Sequence, residues 1–150
     1  MEAAGAVEAI KSVVDYCVEH YGYLSFGADN KLKLIQSRVS GGGYAAGGAS
    51  LLDEVDFTAE NLSNADKGAG TGEVMIHELV HQWWGLGNMF DVSNSSSLWS
   101  AEGLTVYTTY RIVKELYGED YAQEYYVAQW QKAVDDYYLD FYVRNPDYLD

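Results

Sequence analysis

Two of the three histidines in this chain, His77 and His81, stand four residues apart with Glu78 beside the first, in the run HELVHQWWG. On an α-helix that step is a net rotation of about 40° and a rise of about 6 Å, so both imidazoles leave one side at chelating distance. Glu78 falls one step round, on the neighbouring face. Zinc in a hydrolytic site takes three protein ligands and keeps an open position for water, whose pKa it lowers towards neutrality. A carboxylate beside the metal but not bonded to it can take that water's proton and deliver it to a leaving amine. The alternative is a pair of core histidines satisfied by hydrogen bonds, with Glu78 in a salt bridge. Three ionisable groups on one otherwise apolar helix would then each cost several kcal/mol unless compensated. The spacing therefore favours one Zn2+ ion on His77 and His81, with Glu78 as general base.

Two histidines need a third partner. Downstream, WSAEGLTVYTTY places Glu102 near the start of a helix whose inward face would continue through Val106, Tyr110 and Val113. A carboxylate in a first helical turn is also favoured by the helix dipole alone, so taken by itself Glu102 reads equally well as a ligand or as a cap.

The elements that must carry these residues follow from periodicity. From Ala6, the residues Val7, Ile10, Val13, Val14, Cys17, Val18 and Tyr21 recur at three- and four-residue steps, an amphipathic helix that Gly22 can end. KLKLIQSRV, from Lys31 to Val39, alternates as a strand, and ASLLDEVDF, ending at Phe57, reads as a second. The intervening GGGYAAGG has the composition of a flexible hairpin connection, and TAENLSNADKGAGTG that of a polar loop with neither a dinucleotide fingerprint nor a P-loop. Glu73 to Trp84 is apolar nearly all round, as a central buried helix is. Further helices are expected from about Ser100 to Tyr117, stopped by Gly118, and from Glu119 to Val134 or beyond. The fold class is α+β and mostly helical, with a small N-terminal sheet ahead of the central helix.

Composition limits the partners. A chain of 150 residues with 48% hydrophobic residues and a single proline is the size and character of one folded domain, 1–150. Nine basic against 23 acidic residues give a formal charge of −14, which argues against nucleic acid and against contact with an anionic membrane surface. Cys17, the one cysteine, falls inside an apolar helical repeat and reads as a buried thiol. The closing DDYYLDFYVRNPDYLD brings Tyr137, Tyr138, Tyr142 and Tyr148 with no later segment to cover them, as in an excised piece that packs on further domains of a parent protein.

Together, HELVHQWWG and LWSAEGLTVY resemble the catalytic core of the M1 family of zinc metallopeptidases, gluzincins of thermolysin-like fold, from about Leu32 to Tyr110. The Gln-Trp after His81 and the glycine at 85 also match family usage. The resemblance implies that His77, His81 and Glu102 hold the zinc, that Glu78 is the general base, and that a peptide is the substrate. Twenty residues separate His81 from Glu102, which implies a short insertion in the SNSSS region. Upstream, the family's G-x-M-E-N segment grips the substrate's amine through its glutamate and pairs with the substrate as an added strand. Gly42, Gly43, Tyr44 and Ala45 align there, so a substrate-binding strand edge is expected while the acidic anchor is replaced by Ala45. Asp53 or Glu54 would be substitutes for that anchor. The family's oxyanion-stabilising tyrosine would lie beyond Asp150. The resemblance thus implies a zinc peptidase core, with two alternatives: a non-catalytic zinc-binding module of a larger assembly, or a fragment inactive without that tyrosine.

Overall fold

The computed structural model describes residues 3–24, 26, 30–38, 42–55, 71–86 and 98–149. They group into two compact units, Met1–Val113 and Lys114–Asp150. The expected polar loop before Thr71, the end of the second strand at Phe57 and the SNSSS insertion lie outside the described residues.

The first unit opens with helix α1, Ala3–Tyr21. Its three- and four-residue repeat buries Val13, Tyr16 and Cys17, whereas Val7, assigned to the same stripe, is exposed. Burial pushes the Cys17 thiol up to about 12, which keeps it neutral and inert. At Gly22 the chain turns to a φ of 92°, a conformation open to glycine, and its N–H closes the last helical turn on the Val18 carbonyl.

Three strands follow: β1 (Lys33–Ser37), β2 (Gly43–Ala46) and β3 (Ala49–Asp53). They lie in the order β1-β3-β2, with β3 parallel to β1 and antiparallel to β2. Lys33 faces Ala49 across one ladder and Tyr44 faces Leu51 across the other. β1 and β3 fall within the two expected strands. The composition-based reading of GGGYAAGG as a flexible connection is corrected: residues 43–46 form an edge strand. Small side chains give no alternating pattern, but a two-residue turn at Gly47 and Gly48 folds this backbone onto β3, and the ladder bonds outweigh weak strand propensity.

Helix α2, Thr71–Val80, crosses the middle of this unit. Met75, Ile76, Leu79 and Val80 are fully buried, because the helix packs on β2 and β3 on one side and on α1 on another. Helical turns carry on past Val80 until Gly85, whose φ of 102° reverses the chain, and the Leu86 N–H returns to the His81 carbonyl. That six-to-one bond over a left-handed glycine is a Schellman ending. The last element, α3 (Leu104–Tyr117), is entered through one turn of π-helix, Trp99–Gly103.

The second unit holds α4 (Glu119–Ala122), a second π-helical turn over Gln123–Val127, α5 (Ala128–Arg144) and a closing 3-10 turn, Pro146–Leu149. No residue of α5 is buried, and Tyr137, Tyr138, Leu139 and Val143 are exposed along it. Among the described residues helix dominates and the sheet has three strands, so the expected α+β, mostly helical class holds. Among the described residues no helix is long and apolar enough to cross a membrane.

Candidate functional site

His77 ends the penultimate turn of α2 and His81 begins the turn after it, so the four-residue step places their rings edge to face with centroids 4.6 Å apart. Glu102, on the π-helical turn, reaches both: its Oε2 lies 3.3 Å from His77 Nε2 and 3.4 Å from His81 Nε2. These are the three residues with metal-ligand chemistry that converge among the described residues, their ligand atoms all within 4.8 Å of one another.

The protons at this cluster can be assigned from its neighbours. His81 Nδ1 lies 3.0 Å from the Trp84 carbonyl, which can only accept, so Nδ1 carries the hydrogen. The same N–H is 3.2 Å from Thr105 Oγ1, a second acceptor. With Nδ1 so engaged, Nε2 is the nitrogen that faces the Glu102 carboxylate. Burial first, and then the neighbouring His81, hold His77 below the ordinary imidazole range, with Glu102 and Glu73 opposing. Two imidazole nitrogens and a carboxylate oxygen that converge this closely can share one cation between them. Ligands about 2.0–2.1 Å from a tetrahedral zinc stand about 3.3 Å apart, and Glu102 Oε2 stands 3.3 and 3.4 Å from the two histidine nitrogens. The donor set and spacing fit that ion.

Glu78 is nearly buried, at 7% exposure, and its side chain lies against the backbone of β2. A Cβ on Gly43 would come 2.4 Å from Glu78 Cγ and 2.9 Å from Cδ. Glycine at 43 is therefore what allows the carboxylate to occupy this place. Burial raises the Glu78 carboxyl to about 7; Glu102 adds to the rise and His81 opposes it.

A cavity of about 420 Å³ opens over these groups, lined by His77, Glu78, His81 and Glu102 from below and by Gly43, Tyr44 and Ala45 of β2 at the side. Gly42 lies outside that lining; its carbonyl accepts from the Asp53 N–H at 3.0 Å. Asp53 and Glu54 are also outside it, and Glu54 pairs with Arg38 at 3.3 Å. Among the described residues no strand pairs with the outer side of β2.

Several positioning groups escaped the sequence reading. Buried Gln82 donates to the Ala46 and Ala49 carbonyls at 2.9 and 3.2 Å and accepts from the Gly48 N–H at 2.9 Å, so its whole amide is spent on the β2–β3 turn. Ser50 Oγ donates to the Glu78 carbonyl at 3.0 Å. On α3 the buried face is Thr105, Thr108, Thr109, Ile112 and Val113, which corrects the expected stripe through Val106 and Tyr110. The π-helical turn shifts the phase at which α3 leaves Glu102. The run TVYTTY was the available signal: three β-branched hydroxyls at three- and four-residue steps.

Residues 6–141 match the Peptidase family M1 domain. The probable aminopeptidase 1 of Sulfurisphaera tokodaii is 28% identical over 113 residues, 75% of this chain and 14% of that protein. Leucine aminopeptidase 2 of Emericella nidulans is 35% identical over 80 residues, 53% of this chain and 12% of that one. A leukotriene A-4 hydrolase homolog of Botryotinia fuckeliana is 36% identical over 64 residues, 43% of this chain and 9% of its own length. The chain thus spans only a small part of the curated relatives it matches, and no solved structure matches it. Because the domain match runs from α1 into α5 and takes in both HELVHQWWG and WSAEG, the chain belongs to peptidase family M1.

Proposed function

We propose that this chain carries the catalytic core of a zinc-dependent peptidase of thermolysin-like architecture, with His77, His81 and Glu102 as metal ligands and Glu78 as general base. The observation that carries the reading is the convergence of two imidazole nitrogens on one carboxylate oxygen at 3.3 and 3.4 Å, with a second carboxylate, Glu78, lining the same cavity. Zinc, when bound, supplies a Lewis acid that polarises a carbonyl and acidifies water.

The rest is done by the chain's own groups. A peptide laid along the outer side of β2 would pair with the backbone of Gly43 to Ala45 as an added strand, which brings its carbonyl over the ligand cluster. Glu78, held against Gly43, accepts the attacking water's proton on its carboxylate and hands it to the departing amine nitrogen. The methyl group of Ala45 offers no charge to a substrate ammonium, so recognition rests on backbone pairing and cavity shape.

Ala45 also favours a second reading, a zinc-binding module without turnover. The Glu78 carboxylate at the cavity wall favours the enzyme, since a purely structural metal has no use for it. Zinc per chain by elemental analysis, together with peptide hydrolysis by the wild type and Glu78→Gln, separates them. We expect about one zinc in both proteins, and turnover in the wild type that falls by about 10²- to 10⁴-fold in the variant. Zinc without turnover in either would leave the binding module and the catalytically incomplete fragment as the readings, and no zinc would remove them all.

A further inference from the structure

We infer that Thr105 is a positioning residue for the metal ligand His81, holding its imidazole in the tautomer and orientation that present Nε2 to the cluster. The inference rests on the proposed metal site and extends it to a residue that contacts neither metal nor substrate.

Thr105 is fully buried, and its Oγ1 stands 3.2 Å from His81 Nδ1. The Trp84 carbonyl accepts from the same N–H at 3.0 Å, so the hydrogen is shared between two oxygens on different elements. One acceptor comes from the Schellman turn that ends the α2 helical path, the other from α3. The imidazole is thus fixed by two directions, and the ring cannot tilt away from Glu102 without losing one of them. A metal-bound histidine whose other nitrogen donates to a fixed acceptor is a better and better-aimed ligand.

Thr105 belongs to a series. Glu102, Thr105 and Thr108 recur every three residues from the π-helical turn into α3, and each meets a residue around the end of the α2 helical path. Glu102 meets His77 and His81, Thr105 meets His81, and Thr108 Oγ1 accepts from the Trp84 indole at 2.9 Å. Thr108 also donates to the Tyr21 hydroxyl at 3.3 Å, which ties the series to α1. A one-residue slip of α3 would break all three contacts together. The hydroxyls therefore fix the register that brings Glu102 within reach of the histidines.

The test is zinc affinity, measured on the whole chain by competition with a chromophoric chelator, and needs no catalytic activity. Thr105→Val keeps the shape and removes the acceptor; Thr105→Ser keeps the acceptor. Since the Trp84 carbonyl remains, the expected loss in the valine variant is about 10-fold, at the low end for such partners, with the serine variant near wild type. Thr105→Ala serves in place of valine if that variant does not fold. The d–d spectrum of the cobalt-loaded chain should shift in the valine variant and be restored by serine. Equal zinc affinity in wild type and Thr105→Val would overturn the inference, as would an equal loss in Thr105→Ser, which would assign the effect to packing. A wild type that binds no zinc fails the metal site itself and is recognised before any variant is compared.

Discussion

At the scale of single residues, the closest constraint at the site is the contact between Gly43 and Glu78. A methyl group at 43 would sit 2.4 Å from Glu78 Cγ, far inside contact distance, and Glu78 is buried on its other sides. One of the two must move. In Gly43→Ala the carboxylate should swing away from its place over the cluster while the three proposed ligands, none of which is among the nearest atoms to a side chain at 43, stay where they are. The expected outcome is zinc content equal to wild type with kcat lowered about 10- to 100-fold, since a small misplacement of a catalytic group is enough for such a loss. Steady-state kinetics beside a metal measurement checks this; unchanged kcat would mean that Glu78 has another rotamer equally fit for the proton transfer. The sequence could be read this far: HELVHQWWG declares itself because polar residues interrupt an apolar helix at chelating spacing. Glu102 needed the family resemblance, since a first-turn acid is common. The partnership of Gly43 with Glu78 was illegible, because a glycine has no side chain to announce a contact thirty-five positions away (78 − 43).

At the scale of elements, the β2–β3 hairpin is held on α2 by the amide of Gln82. That single side chain satisfies one backbone donor and two acceptors at the turn, and it is 3% exposed. Gln82→Leu fits the volume but leaves those backbone groups without their partner in a buried place. Each orphaned group costs about 1–3 kcal/mol, part of which water entering the turn can recover. The expected loss is about 2–4 kcal/mol in unfolding free energy, read from urea denaturation, with the Gly48 amide among the first to lose hydrogen-exchange protection. Stability within about 0.5 kcal/mol of wild type would show that the hairpin is held by its ladder alone. The existence of α1, α2 and α3 was legible because their apolar periods are long. β2 was legible only through the family resemblance, since its stability comes from a turn and a partner strand and not from its own pattern. The inward face of α3 was misphased by the π-helical turn, and polar hydroxyls concealed the burial of Thr105, Thr108 and Thr109.

At the scale of the molecule, a net charge of −14 surrounds the proposed metal cluster. Binding zinc to the folded chain and not to the unfolded one stabilises the fold by RT ln(1 + [Zn]/Kd), about 2.7 kcal/mol at a hundredfold excess over Kd. The dependence of that increment on pH identifies its ligands. Protons compete for the imidazoles, so the increment is complete above the ordinary imidazole pKa of about 6.5 and shrinks as pH falls below it. In the zinc-free chain two shifts pull in opposite directions. His77, depressed by burial, makes the unfolded chain bind more protons, so its contribution is present above the unfolded imidazole pKa and is lost as pH falls. Glu78, raised to about 7 from 4.5, makes the folded chain bind more, so its contribution is present below 4.5 and is lost as pH rises through 7. The two shifts therefore oppose each other in the zinc-free stability, while the zinc-dependent increment shrinks with acid. Melting curves with zinc and with a chelator from about pH 5 to 8 measure the difference. An increment that does not change with pH would mean that the ion is held by surface carboxylates and not by His77 and His81.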